Sequence, residues 1–205
     1  KNYSKEYKKC YSSSPRYRGT LVSEWYLMGE GKVYLVGGGP GDPGLLTLKG
    51  KRCIEAADVV VYDSSVDIRL LDYVRPGTKL LYVGKQTGRQ SVNRNVITDA
   101  LVEHAARGDT VVRLNGGDLV LFGQGVEEAA VLSDADVSFE IVPGVTPAIA
   151  VSAYAGIPLT RPDLASAVSV VSGTEHEWEN AENLIRATLM GGSGTLVFLM
   201  GHGEL

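Results

Sequence analysis

Long apolar runs, paired cysteines and clustered histidines are all scarce in this sequence of 205 residues. No apolar segment approaches the roughly 20 residues that a membrane-spanning helix needs. The two cysteines, Cys10 and Cys53, lie far apart, which argues against a disulfide scaffold and favours a reducing cytoplasm. The three histidines, His104, His176 and His202, do not have the spacing of metal ligands. These absences predict a cytoplasmic protein that has no metal site and no membrane partner.

An excess of positive charge is also missing, because the formal net charge is −4. This balance argues against general nucleic-acid binding. The charge is unevenly distributed, however, since no acidic residue occurs between Asp72 and Asp99. The basic residues of this window are Arg75, Lys79, Lys85, Arg89 and Arg94. A solvated loop is one interpretation of the window, and a landing site for an anionic ligand is the other.

What the sequence does contain is an alternation of strands and helices. The polar segment 1–30 has no periodicity and is predicted to be a tail, either disordered or foreign to the natural protein. From Lys32 onward, the strand patterns KVYLVG, DVVVYD, KLLYVG, DTVVRLN and SFEIVPG alternate with helical patterns, among them PGLLTLKGKRCIEAA and DIRLLDYV. This alternation predicts an α/β domain with a mostly parallel sheet over residues 31–145. In residues 146–205, the strands SAVSVVSG and GTLVFLMG and the helix AENLIRATLM predict the start of a second α/β domain, incomplete in this chain.

A glycine-rich loop follows the first strand. Its sequence VGGGPGDPG matches G-x-G-x-x-G, the spacing of nicotinamide dinucleotide sites. However, Pro40 and Pro43 have no N–H to donate to a phosphate. Asp42 followed by Pro43 also predicts a carboxylate cap on the next helix, which would use the amides and the positive helix end that a diphosphate needs. The loop is therefore predicted to bring its backbone close to a ligand that needs few anion donors.

Two further loops follow later strands, where ligands of open α/β sheets bind. One is Gly116-Gly117-Asp118, for which an ordinary turn is an equally good interpretation, and the other is PGVTP. Glycines beside apolar residues, with few basic groups, suit a neutral adenosine that carries a compact charged tail. The absence of G-x-x-x-x-G-K-[ST] disfavours hydrolysis of a nucleoside triphosphate.

The segments VYLVGGGPGDPGLLTLKG, LLYVGKQTGRQSV, VVRLNGGDLVLFGQGVEEA and FEIVPGVTPAIAVSAYAGIPLT resemble the tetrapyrrole methylase family, above all its members that methylate uroporphyrinogen III. The resemblance runs from Lys32 to Gly201. It implies a two-domain class III methyltransferase fold that binds S-adenosylmethionine between its domains and forms a homodimer. It also implies C-methylation of uroporphyrinogen III at C2 and C7 to give precorrin-2, with S-adenosylhomocysteine as the second product, in the sirohaem and cobalamin branch.

The resemblance assigns roles to individual residues. Asp63, which ends DVVVYD, corresponds to the family's acidic residue near the chemistry and is the candidate catalytic base, with a ribose contact or a helix cap as the alternatives. The implied cofactor-binding residues are Pro40, Gly116, Gly117, Asp118, Leu121, Thr146, Pro147 and Met200. The residues predicted to pair with substrate carboxylates are Lys85, Arg89, Arg94, Arg113 and Arg161.

The chain departs from the family pattern at two positions where an arginine is expected, Gln86 and Gln124. Three alternative functions stay open at this point. They are a later precorrin methyltransferase of the same family, a non-catalytic homologue that binds an S-adenosyl ligand, and a nicotinamide oxidoreductase. Each predicts a different outcome when the protein meets uroporphyrinogen III, S-adenosylhomocysteine or NAD(H).

Overall fold

The computed structural model describes residues 31–84, 94–172 and 194–199. The predicted tail 1–30 and the predicted helix AENLIRATLM lie outside these residues. The chain divides into two compact units, with the boundary between Val145 and Thr146. None of the helices in the described ranges combines the length and the apolar character that crossing a membrane requires.

The first unit is built on a five-stranded sheet with the order β3-β2-β4-β1-β5. Its strands are β1 (Lys32–Gly37), β2 (Val59–Tyr62), β3 (Lys79–Tyr82), β4 (Thr110–Asn115) and β5 (Ser138–Val142). Every neighbouring pair is parallel, so the predicted parallel sheet is confirmed. Because β4 lies between β1 and β2, the loops that follow β1 and β4 are neighbours at the carboxyl edge of the sheet.

Three helices connect these strands: α1 (Leu48–Ala56), α2 (Arg94–Ala106) and α3 (Gly125–Asp134). The prediction of one helix over PGLLTLKGKRCIEAA is wrong in its first part, because Pro43–Leu45 forms a separate 3₁₀ turn. Leu46 is extended, with ψ 131°, and Thr47 then caps α1 by accepting the N–H of Gly50 at 3.1 Å. The segment predicted as a short helix after β2 is a 3₁₀ helix, Ile68–Tyr73.

The two faces of the sheet bury different side chains, because successive residues of a strand point to opposite sides. On β1, Val33 and Leu35 pack in a buried cluster that includes residues of α2 and α3. Tyr34 and Val36 pack on the other face, in a cluster that includes residues of α1. Helices on both faces explain why β1 and β2 are almost entirely apolar and do not alternate between apolar and polar residues.

The second unit contains α4 (Pro147–Tyr154), β6 (Ala167–Ser172) and β7 (Gly194–Leu199). The two strands pair in parallel, in agreement with their prediction as strands. Thr146 caps α4 through its side chain, and Pro147 occupies the first helical position, where its missing N–H costs no hydrogen bond.

Candidate active site

The loop after β1 uses its backbone N–H groups within the protein. The side chain of Asp42 accepts the N–H of Gly44 at 2.8 Å. The carbonyl of Asp42 accepts the N–H of Leu45 at 2.9 Å, and the carbonyl of Pro43 accepts the N–H of Leu46 at 3.1 Å. The predicted carboxylate cap is confirmed, although it caps the 3₁₀ turn and not α1. These engaged amides, together with the prolines of the loop, leave little for the phosphates of a dinucleotide to bind.

A reciprocal pair of hydrogen bonds joins this loop to the loop after β4. The N–H of Gly39 donates to the carbonyl of Gly117 at 3.1 Å, and the N–H of Gly117 donates to the carbonyl of Gly39 at 2.7 Å. Gly39 has φ 81° and Gly117 has φ 67°, in the left-handed region that glycine adopts without strain. We call this pair of bonds the glycine latch. It fixes two backbone loops side by side at the carboxyl edge of the sheet.

The loop after β5 packs backbone to backbone against the same place. A Cβ added to Gly144 would lie 2.2 Å from the carbonyl oxygen of Gly117 and 2.7 Å from the carbonyl of Gly37. A Cβ added to Gly37 would in turn lie 2.5 Å from the nitrogen of Gly144. Three loops therefore meet where there is no room for side chains between them.

Gly144→Ala is expected to destabilise the protein by about 3 kcal/mol, because the added carbon meets backbone that cannot rotate away. Urea unfolding measures the loss. Gly77→Ala is the control, because Gly77 has φ 92° but no atom lies within 4 Å of its added Cβ. Only the strain of the left-handed region, about 1–2 kcal/mol, applies there. Equal losses in the two variants would contradict the close packing of the loops.

Asp118 organises the loop after β4 and connects it to the loop after β5. Its Oδ2 accepts the N–H groups of Val120 and Leu121, each at 2.9 Å. Its Oδ1 accepts the N–H of Gly144 at 3.3 Å. The predicted cofactor-binding residues of the first unit all lie in these connected loops, and their contacts with a cofactor stay predictions. They are Pro40, Gly116, Gly117, Asp118 and Leu121.

Asp63 lies directly after β2, and both of its carboxylate oxygens accept hydrogen bonds. Oδ1 accepts the N–H of Ser65 at 2.9 Å and the Ser65 hydroxyl at 2.5 Å. Oδ2 accepts Nη2–H of Arg113 at 2.7 Å. Partial burial by itself raises the pKa of Asp63, but the bonds from Ser65 and Arg113 outweigh it and hold the pKa below its ordinary value. Asp63 is therefore ionised at neutral pH, and its bonds to Ser65 are those of a turn cap.

Arg113 lies inside the protein, with 1% of its side chain exposed. Besides Asp63, it contacts Glu128, which accepts Nε–H at 3.0 Å, and the carbonyl of Leu114, which accepts Nη1–H at 3.0 Å. This position disagrees with the prediction that Arg113 pairs with substrate carboxylates. A buried guanidinium that faces three protein oxygens holds its neighbours in place and has no side open to a large anion.

Glu128 is a residue of this cluster that sequence reasoning did not find. A signal was present, because Val111 and Arg113 lie on the same face of β4 and α3 covers that face. An arginine buried there needs a carboxylate from the covering helix. The segment VEEAAV offers Glu127 and Glu128, of which Glu127 is exposed and Glu128 is buried.

The other predicted site residues lie in the second unit or outside the described residues. Thr146 and Pro147 begin α4, and Arg161 is exposed in the same unit. In the described ranges, no group of three or more His, Cys, Asp or Glu side chains is placed to hold a metal ion. The predicted residues about which the structure gives no side-chain description are Lys85, Arg89, Arg94 and Met200.

Comparison with known proteins shows which family this chain belongs to. The model of the Tetrapyrrole (Corrin/Porphyrin) Methylases matches residues 32–204. The chain belongs to the tetrapyrrole methylase family. The resemblance found in the glycine loops and the fold class that it implied are both confirmed.

Individual tetrapyrrole methylases show how far the similarity extends. An S-adenosyl-L-methionine-dependent uroporphyrinogen III methyltransferase of Methanosarcina barkeri is 47% identical over 171 residues, which cover 83% of this chain and 67% of that protein. The Thermus thermophilus uroporphyrin-III C-methyltransferase, solved in complex with S-adenosylhomocysteine, is 41% identical with a TM-score of 0.63, over 85% of this chain and 72% of that one. A cobalt precorrin-4 methyltransferase structure is 30% identical with a TM-score of 0.72, over 84% and 70%. This chain thus spans about two thirds of the Methanosarcina barkeri relative.

Proposed function

We propose that the protein transfers methyl groups from S-adenosylmethionine to C2 and C7 of uroporphyrinogen III and so makes precorrin-2. The observation that carries this proposal is the first glycine loop, whose amides at residues 44–46 bond within the protein. Such a loop suits a cationic sulfonium nucleoside better than a diphosphate. The similarity to a uroporphyrinogen III methyltransferase of Methanosarcina barkeri supports the same substrate pair.

The donors at the carboxyl edge of the sheet fit a sulfonium ligand. The connected loops offer backbone carbonyls and the carboxylate of Asp118, and the carboxylate of Asp63 after β2 adds a second negative charge; all of these favour a positively charged ligand. S-adenosylmethionine supplies a methyl group on a positively charged sulfur; as the new carbon–carbon bond forms, the carbon–sulfur bond breaks and its electron pair stays on sulfur. The task of the protein is alignment, and positioning of this kind is worth about 7–11 kcal/mol.

A proton must leave the tetrapyrrole after each methyl group has arrived. Asp63 is ionised at neutral pH and is the proposed acceptor of that proton. Arg113 and Ser65 hold its carboxylate in one orientation. Asp118 keeps its proposed part in offsetting the sulfonium charge, in addition to shaping its loop.

The remaining proposed contacts concern the carboxylates of the substrate and the rest of the cofactor. The proposed substrate residues are Lys85, Arg89, Arg94 and Arg161, without Arg113. The proposed cofactor residues beyond the first unit are Thr146, Pro147 and Met200. The proposal also includes a homodimer, which the family resemblance implies, and a cytoplasmic location, which the cysteine usage favours. Light scattering measures the subunit number.

The direct test is a methyl-transfer assay of the purified protein with S-adenosylmethionine and uroporphyrinogen III, read by the mass of the product. We expect two added methyl groups and no binding of NAD(H) in a parallel titration. A product from a later precorrin only, which the similarity to a cobalt precorrin-4 methyltransferase makes worth testing, would move the chain to another member of the family. Binding of S-adenosylhomocysteine without turnover of any tetrapyrrole would indicate a non-catalytic homologue.

A further inference from the structure

Arg113 lies between two carboxylates, and only one of them has a place in the proposed chemistry. Nη2–H donates to Asp63 at 2.7 Å, and Nε–H donates to Glu128 at 3.0 Å. Glu128 lies in the first turn of α3 with 7% of its side chain exposed, against 21% for Asp63. The single positive charge of the guanidinium is therefore shared between a more buried and a less buried anion.

The cluster continues beyond Asp63 to the glycine loops. The hydroxyl of Ser65 donates to Asp63 and accepts the N–H of Gly116 at 2.9 Å. An unbroken series of polar contacts thus runs from Glu128 on α3, through Arg113 and Asp63, to the loop that carries the glycine latch. A change at Glu128 has a direct physical route to the carboxylate that is proposed to receive the proton.

The second oxygen of Glu128 marks it as more than a structural counterion. Within the described part of the chain, Oε2 of Glu128 and Nδ2 of Asn115 are buried without a hydrogen bond of ordinary length and angle, and the weak interaction between these two side chains favours the ionised Glu128 only slightly. Desolvation by burial raises the pKa of Glu128 above its ordinary value, while Arg113 acts in the opposite direction. The charge of this carboxylate is accordingly the least firmly fixed of the cluster.

We propose that Glu128 is a positioning residue: as an anion it accepts Nε–H of Arg113 and offsets part of the guanidinium charge, and thereby leaves Asp63 basic enough to accept the substrate proton. The proposal rests on the proposed function, because it needs Asp63 as proton acceptor. When Glu128 is neutral, the guanidinium faces Asp63 as its only anion, and Asp63 holds a proton less readily.

Few charged groups surround Glu128 in the described structure. Arg113 and Asn115 of β4 interact with Glu128 directly, and the charge of Asp63, after the end of β2, acts on it electrostatically. Glu127 is its neighbour on α3 and is exposed. Asn95 and Thr98 of α2 line the same small cavity of about 190 Å³. Besides its burial, the charges of Arg113 and Asp63 therefore act most on the titration of Glu128, and that titration should be visible through either of them.

The test uses Glu128→Gln, which keeps an acceptor of the same shape but removes the charge, with Glu127→Gln as the matched control. In the wild type, kcat should rise with pH through the titration of Glu128, somewhere above the ordinary glutamate value of about 4.3. Glu128→Gln should lack this limb and stay about three- to ten-fold slower at neutral pH, with unchanged KM. Glu127→Gln should behave as the wild type. A wild-type pH profile and rate in Glu128→Gln would overturn the proposal.

A measurement without turnover keeps the two proposals separate. The Nε–H resonance of Arg113 in ¹⁵N-arginine-labelled protein should move with pH in the wild type and stay fixed in Glu128→Gln. A resonance that does not move with pH in the wild type overturns the role of Glu128, even if Glu128→Gln does not fold. Absence of methyl transfer in the wild type, with a resonance that does move, would instead refute the proposed function.

Discussion

Replacing Arg113 by methionine is expected to lower the free energy of unfolding by about 3–5 kcal/mol, the largest loss of stability that we expect from a single substitution in this protein. Methionine fills much of the same volume, but it leaves the buried Glu128 and the partly buried Asp63 without their shared cation. Urea unfolding at neutral pH measures the loss. Without the guanidinium, the pKa of Glu128 would rise further above its ordinary value and the pKa of Asp63 would be lowered less than in the wild type, so the folded variant would bind more protons than the folded wild type at the same pH. The deficit should accordingly shrink as the pH falls toward about 4.

Arg75→Met is the matched control for this prediction. Arg75 forms an ion pair with Asp58, but their side chains are 50% and 42% exposed. Exposed pairs contribute little because water screens both charges, so the control should lose at most about 1 kcal/mol. A loss for Arg113→Met as small as that for Arg75→Met would mean that the charges of the buried cluster do not stabilise the fold. The ion pair between Arg113 and Glu128 would then give no support to the role proposed for Glu128.

Asp63→Asn is expected to reduce the kcat of methyl transfer by about 10²- to 10⁴-fold, the range that a positioned proton acceptor supplies. The amide has nearly the same shape and can still accept the N–H of Ser65, but it cannot take up a proton. The dissociation constant of S-adenosylhomocysteine should therefore change only a few-fold. Single-turnover methyl transfer and calorimetric titration of S-adenosylhomocysteine measure the two effects separately.

Asp72→Asn serves as the control for Asp63→Asn, because Asp72 is an exposed carboxylate of the same unit. It should leave both kcat and ligand affinity unchanged. If Asp63→Asn lost affinity for S-adenosylhomocysteine as strongly as it lost kcat, the ribose-contact alternative for Asp63 would replace the proton acceptor.

The strands of the first unit could be predicted from the sequence because each is a short, largely apolar run followed within two residues by a glycine or an aspartate. The first residues of the helices were harder to predict from the sequence. Asp42-Pro43 and Thr47 are both good caps a few residues apart, and composition alone does not show that the chain straightens at Leu46 before α1 begins. Local propensity predicts that a helix exists better than it predicts its first residue.

The candidate site shows the same division between local and spatial information. The position of the glycine loops at the carboxyl ends of strands follows from the parallel sheet. The glycine latch does not, because it needs β4 to lie beside β1, and nothing in the period of the apolar residues states the order of the strands. The prediction that Arg113 binds substrate carboxylates disagrees with the structure for a simpler reason. Its charge suggests an anionic ligand, but its position two residues after Val111 places it on the covered face of β4.

The glycine latch also limits how the loops of this protein can be exchanged with those of a relative. The loop that carries Gly117 is bonded to the loop of Gly39 through the main chain and to the loop of Gly144 through Asp118. In a chimaera that received this segment alone from a distant relative, the new segment would have to fit the loops of Gly39 and Gly144, which come from the other parent. Recombination should therefore succeed only when all three segments come from the same parent, so that the carboxyl edge of the sheet is inherited as one unit.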